Sequence, residues 1–302
     1  MRNPEELFEI LDDRPADTAS PVLIYSLSGF VDAGQTGALA GEHLATTLSS
    51  RPYAAFDCDQ LIDYRSRRPV MTFTADHYAH VERFQLTLDV LTDAAGTEFY
   101  LLRGPEPDFQ WERFAAAVLR LVDRLGITRA VTGHGIPWAS PHTRPLRMTA
   151  HASRRELISG SPRWVDDVRV PGNVLGLLEL RLGEAGVDAI GFAVHVPHYL
   201  AEIEYPTAAV RLLEAMSEAA GVQVPDEALR AAGSDVLEKV DEQVAQAPQL
   251  QEAIEGMEKA FDADGSGLGS PGQSSVPESE LPHGDDLAAE VEDFLRGMGG
   301  SA

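Results

Sequence analysis

Between Pro21 and about Ala220, short apolar runs of strand length, "VLIYSL", "RFQLTLDV", "EFYLLR", "RAVTG" and "AIGFAVHV", alternate with longer stretches such as "FQWERFAAAVLRLVDRLG" and "YPTAAVRLLEAMSEAAG". In the longer stretches the apolar residues recur every three or four positions, the spacing that puts them on one face of a helix. Strands alternating with helices predict an α/β domain over residues 1–220, with a largely parallel sheet covered by helices on both faces, a three-layer α/β/α arrangement.

The pattern changes after Ala220. Val236, Val240 and Val244, then Leu250, Ile254, Met257 and Phe261, recur at helical spacing with acidic residues between them, which predicts a helical extension over 221–261. "DADGSGLGSPGQSSVPESELPHG" follows, too rich in Gly, Ser and Pro to bury itself, and 262–284 is expected to be a disordered linker. In the closing segment, 285–298, Leu287, Val291, Phe294 and Leu295 form an apolar stripe that predicts a short amphipathic docking helix.

Composition narrows the function classes. The formal charge of −24 opposes nucleic acid and anionic membrane surfaces, both of which need clustered Lys and Arg. From Val222 onward 18 acidic residues face 4 basic ones, so more than half of the excess charge lies outside the α/β body. The single cysteine, Cys58, excludes an internal disulfide and a thiolate metal site; in a run that reads as a strand, it is expected to be buried and inert. With no apolar stretch of membrane length and an acidic amino terminus without a signal-peptide core, the chain is expected in the cytoplasm.

Three stretches could carry chemistry. "YSLSGFVDAGQTG" has the layout of a phosphate-cradling loop, but its glycines, Gly29, Gly34 and Gly37 with Gly41 beyond, fit neither a P-loop nor a dinucleotide fingerprint. Asp32 followed three positions later by Gln35 instead has the form of a capping box, whose carboxylate occupies the N–H groups that would hold an anion. Gly34, Gly37 and Gly41 share one helix face and are expected to permit close packing on the sheet. "TGHGIPWASPHTRP" and "VHVPHYLAEIEYP" follow strands at positions where open α/β sheets bind ligands. They supply His134, His142, Arg144, His195, His198 and Tyr199, which with Asp32 and Gly34 make a candidate pocket for acid/base work. Each histidine alone is better explained as a loop anchor, hydrogen-bonded to backbone carbonyls.

Other features are set aside. Asp57, Asp59 and Asp63 precede Arg65, Arg67 and Arg68, which would keep the carboxylates ionised; an ion-pair network or subunit interface is expected there. "FDADGSG" starts like a calcium loop with Asp262, Asp264, Ser266 and Gly267, but Gln273 stands where a bidentate Glu is needed and Pro271 interrupts it. The histidines lack the i, i+4 pair of a helical zinc site, and no serine sits in a G-x-S-x-G elbow. No metal and no cofactor is expected.

"FDCDQLIDYRSRRP", "GIPWASPHTRP" and "GFAVHVPHYLAEIEYPTAAVRLLEAM", in this order, resemble the proteasome assembly chaperone 2 family in its actinobacterial, uncharacterised form. The resemblance covers most of Pro21 to Ala220. It implies a fold similar to the purine nucleoside phosphorylase/hydrolase-like fold, homo-oligomers such as trimers, and non-catalytic chaperoning of proteasome assembly as seen in eukaryotic relatives. It implies no catalytic residues. The expectation is a protein-binding homo-oligomer with unidentified protein partners; the alternative is a small-molecule enzyme or ligand-binding protein of nucleoside phosphorylase or hydrolase type, with the candidate loops around one pocket.

Overall fold

The computed structural model describes residues 3–162 and 167–263. In chain order the strands are β1 (Phe8–Ile10), β2 (Val22–Ser28), β3 (Ser49–Phe56), β4 (Met71–Thr74), β5 (His77–Val81), β6 (Thr87–Thr92), β7 (Glu98–Pro105), β8 (Arg129–Trp138), β9 (Met148–Ala152) and β10 (Asp188–Pro197). The helices are α1 (Thr36–Thr47), α2 (Cys58–Leu61), α3 (Trp111–Leu125), α4 (Val174–Glu184), α5 (Pro206–Ala220), α6 (Glu227–Gln246) and α7 (Pro248–Ala263).

Eight strands form one sheet in the order β1-β3-β6-β7-β2-β8-β10-β9. The centre, β7-β2-β8-β10, is parallel, whereas β1, β3, β6 and β9 pair antiparallel with their neighbours. The sheet is therefore mixed rather than largely parallel. The reason is local: the connection from β6 to β7 is a tight turn, with Asp93 accepting the N–H groups of Ala95 and Thr97, and so short a link can join only antiparallel strands.

Alternation along the strands builds two cores. Leu23 and Tyr25 of β2 face Phe114 and Val118 of α3 and Leu178 and Leu182 of α4. Ile24, Val131 and Val194 face the other way, toward Leu44 of α1 and Leu212 and Met216 of α5. Pro206 opens α5 at a position whose N–H needs no partner, and Gly221 closes it with φ +70°, a conformation that suits glycine. The helices α6 and α7 extend the second core: Leu229 and Val240 are buried in it, with Val236, Val244 and Met257 packed at its margin. Burying side chains of this size contributes roughly 1.5 to 3 kcal/mol each.

Three expectations change. Cys58 opens the short helix α2 instead of lying in a strand, although it is buried and unpaired, and burial pushes its thiol pKa up. Helix α7 runs to Ala263, so the first two residues of the expected linker are helical. The rest of that linker, and the docking helix with Leu287, Val291, Phe294 and Leu295, lie outside the described residues. The hairpin β4–β5 has no counterpart in the sequence expectation, and its residues are exposed on both faces.

Candidate functional site

The parallel strands β2, β8 and β10 end together, and the turns that follow them meet. After β2 the chain makes a 3-10 turn, Ala33–Gln35, before entering α1. The Asp32 carboxylate reaches past that turn: Oδ1 accepts from Gly37 N (2.8 Å) and Gly135 N (3.0 Å), and Oδ2 from Ala38 N (2.9 Å). The donors of the helix terminus are thus consumed by a side chain, and one oxygen also ties β8 to α1. The capping box itself does not form. Gln35 is exposed in a left-handed conformation, φ +50°, and does not reach back. Burial raises the Asp32 pKa, and the three backbone donors pull it down.

Gly34 does not share the helix face expected of it. It lies in the 3-10 turn at φ +66°, donates to Ala201 O at 2.7 Å and accepts from Tyr205 N at 2.9 Å, so it ties this turn to the segment after β10. Gly37 and Gly41 do pack on the sheet: a Cβ would lie 2.7 Å from Gly133 O in the first case and 2.5 Å from Ser26 Oγ in the second.

On the same side, His142 is held at both ring nitrogens. Its Nδ1 lies 2.6 Å from the Tyr199 hydroxyl, which also accepts the His142 backbone N–H at 2.8 Å, and its Nε2 lies 3.0 Å from Asp241 Oδ1 of α6. Burial raises the Tyr199 pKa, so the hydroxyl keeps its proton. Arg144 forks onto α7: Nε and Nη2 donate to the two oxygens of Asp262 at 2.9 and 2.8 Å, and Nη1 donates to Glu258 at 3.0 Å. Asp262, first residue of the apparent calcium loop, is an arginine partner.

His134 and His195 lie elsewhere. The segment from Thr132 to Trp138, expected as a loop, is the second half of β8, and Val194 to Pro197 completes β10. Successive side chains of a strand point to opposite faces. Gly133 and Gly135 face Leu212 and Ala33, on the α1/α5 side, so His134 between them faces the α4 side. There His151 Nδ1 meets Glu179 Oε2 at 2.6 Å above Gly191, where a Cβ would lie 2.0 Å from the imidazole. Burial, with His151 nearby, lowers the His134 pKa to about 4. His195 is stacked on Trp138 at 4.0 Å, with Nε2 2.8 Å from Thr149 Oγ1; burial, with Arg147, lowers its pKa to about 4. His198 is edge-on to Tyr199, and burial lowers its pKa too.

The candidate pocket is therefore divided by the sheet. Asp32, Gly34, His142, Arg144 and Tyr199 are joined to α1, α6 and α7, whereas His134 and His195 are on the α4 side, among Thr149, His151 and Glu179, which sequence reasoning missed. Glu179, an acid within the leucine-rich α4, is the one signal that could have been read. Among the described residues no group of three or more His, Cys, Asp or Glu side chains could hold a metal, and no helix is long and apolar enough to cross a membrane.

The expected network among Asp57, Asp59, Asp63, Arg65, Arg67 and Arg68 does not form. Asp57 caps α2, Asp59 accepts from the Tyr64 hydroxyl, and Asp63 accepts from Arg65 N. Arg67 pairs with Asp108 at 2.5 Å and donates to Glu106 O. The short turns around α2 point the carboxylates at backbone and hydroxyl donors.

The sequence matches the PAC2 family over residues 26–244. The chain belongs to the PAC2 family. The match takes in the loop from Asp32, the hairpin and all but the end of α6, and α7 with Glu258 and Asp262 lies beyond it. Among solved structures, a Mycobacterium tuberculosis protein of unknown function, Rv2714, is 42% identical with a TM-score of 0.81, covering 85% of this chain and 89% of its own. A Corynebacterium glutamicum protein of unknown function is 33% identical with a TM-score of 0.80, covering 85% and 97%. A M. tuberculosis proteasome-assembly chaperone homologue, Rv2125, is 24% identical with a TM-score of 0.71, covering 77% and 99%. No curated protein matches the chain in sequence.

Proposed function

We propose that this PAC2 protein is a non-catalytic, protein-binding homo-oligomer of the cytoplasm that acts in proteasome assembly or quality control. Its layers correspond, in this reading, to the purine nucleoside phosphorylase-like arrangement. The observation that carries the proposal is Asp32: its carboxylate takes the N–H groups of Gly37, Ala38 and Gly135, so the helix terminus that a phosphate would use is capped from within the chain. His142 and Tyr199 are committed to each other and to α6, Arg144 is committed to α7, and His134 and His195 are across the sheet, so the groups expected around one pocket do not converge with Asp32. The shared fold with a proteasome-assembly chaperone homologue supports the choice of partner class.

Affinity capture of the full chain from its native cytoplasm tests this reading. Proteasome subunits or their assembly intermediates, retained in defined stoichiometry, are the expected result. Their absence, together with turnover of a nucleoside in the presence of phosphate, would favour the enzyme.

A further inference from the structure

A cavity of about 430 Å³ opens near the β1 edge of the sheet and shares no residue with the divided site. Strand register explains where it lies. Pairing sets Pro52 opposite Asp89, Ala55 opposite Thr87, and Thr87 opposite Arg103, so these side chains share one face. Farther along the same strands Leu91, Phe99 and Leu101 join the core under α1 and α5, whereas no helix residue lines the cavity. Its walls are Leu11, Ser50, Pro52, Phe84 and Gln85. Two backbone features shape it. The register of β3 shifts between Pro52 and Ala54, which bends that strand. Gly104, at φ +140°, lets Gln85 and Leu86 pass where a Cβ would lie 2.3 Å from Gln85 O.

A charge pair forms the floor. Asp89 is 5% exposed between Leu88 and Val90 of β6, and its Oδ2 accepts from Arg103 Nε at 2.9 Å and from Thr87 Oγ1 at 3.1 Å. Among the described residues, Asp89 Oδ1 and the two terminal nitrogens of Arg103 make no hydrogen bond. An apolar pair would hold β6 to β7 as well or better, so stability alone does not account for charges under an open cavity. A ligand does.

The floor also selects its ligand. A simple amine would be repelled by Arg103, and a simple carboxylate by Asp89 in a chain of net charge −24. A molecule that carries both charges on adjacent groups matches both, and a polypeptide terminus carries only one of them. We infer that the cavity binds a free α-amino acid with an apolar side chain. Its carboxylate accepts from the terminal nitrogens of Arg103, its ammonium donates to Asp89 Oδ1, and its side chain lies against Leu11, Pro52 and Phe84. The volume falls within the roughly 300 to 1,000 Å³ of ordinary small-ligand sites.

Calorimetric titration of the purified full chain with L-leucine, L-isoleucine, L-valine, L-methionine and L-phenylalanine tests it. The expected result is saturable binding of at least one of them, one per chain. The analogue of that ligand lacking the amine, and the one lacking the carboxylate, should each bind about tenfold or more weaker, the loss of one charge-assisted hydrogen bond. Ser50→Trp, at an exposed position on the cavity wall, should fill the space and abolish binding with the melting temperature kept. Arg103→Gln should also weaken binding; it leaves Asp89 unpaired, so Ser50→Trp and the analogues carry the test if that variant does not fold. Absence of binding by all five at millimolar concentration overturns the inference. So does equal binding of a one-charge analogue, or binding that survives Ser50→Trp. Protection of the Leu11 and Phe84 amides by a protein partner or a second copy, with no response to the amino acids, overturns it too. Binding is read on the isolated chain, so failure here leaves the proteasome reading standing.

Discussion

The Tyr199 hydroxyl engages both the backbone N–H and Nδ1 of His142, at 2.8 and 2.6 Å, and so fixes the loop after β8 to the turn after β10. With Tyr199 donating to Nδ1, the opposite nitrogen, Nε2, carries the hydrogen given to Asp241. Tyr199→Phe leaves the buried His142 N–H without an acceptor. We expect a loss of about 1 to 3 kcal/mol in denaturant unfolding, and Asp241→Asn to cost less because Asp241 is largely exposed. Equal costs would mean that the two contacts do not act as this geometry implies.

Asp32→Ala removes the shared acceptor of three backbone donors, so its cost should exceed the ~1 kcal/mol of an ordinary helix cap. We expect about 2 to 4 kcal/mol by denaturant titration, given about 1 to 3 for each buried donor left unpaired and partial relief by water. Inorganic phosphate should bind neither form. Phosphate binding by the wild type in calorimetry would show that the helix terminus is not closed.

Histidine burial sets an acid limit. His134 and His195 have folded-state pKa values of about 4 against an ordinary 6.5, so both are kept neutral. Their contribution to stability is complete above pH 6.5 and is lost as the pH falls through 4, by up to ~1.4 kcal/mol per pH unit for each. Unfolding free energies measured between pH 6.5 and 5 should fall with pH, and His195→Gln should flatten the slope whatever its absolute stability. An unchanged slope would mean that His195 is not held neutral by the fold.

Gly135 has Ala33 O at 2.1 Å from where a Cβ would stand, a backbone atom that cannot rotate away. Gly135→Ala should therefore cost 3 kcal/mol or more, above the ~1 to 3 usual for overpacking, and Gly96→Ala, with nothing within 4 Å of its Cβ, should be limited to the strain of its φ of +86°. Thermal unfolding of the pair checks the order, and a milder Gly135 variant would contradict the close approach of β8 to the Asp32 turn.

These sites also show what could be read in advance. Strand and helix positions were legible where one face is apolar and the ends are marked, as in α5 between Pro206 and Gly221. The α6–α7 extension was legible from Val236, Val240 and Val244. The extent of β8 was not, because Gly133, Gly135 and Pro137 read as chain breakers while two of them are glycines to admit Leu212 and Ala33. Taking Thr132–Trp138 for a loop erased the alternation that places His134 on the opposite face from Asp32. Partners distant in sequence, such as Asp241 for His142 and Asp262 for Arg144, leave no local signal at all.

The most direct test of the proposed role is reconstitution: proteasome subunits of the same organism assembled from purified chains, with and without this protein, and followed by native mass spectrometry. The account predicts a complex of this protein with proteasome subunits and an altered yield of assembly intermediates, with no nucleoside or phosphate consumed. Identical assembly in its presence and absence, with no complex at micromolar concentrations, would contradict it.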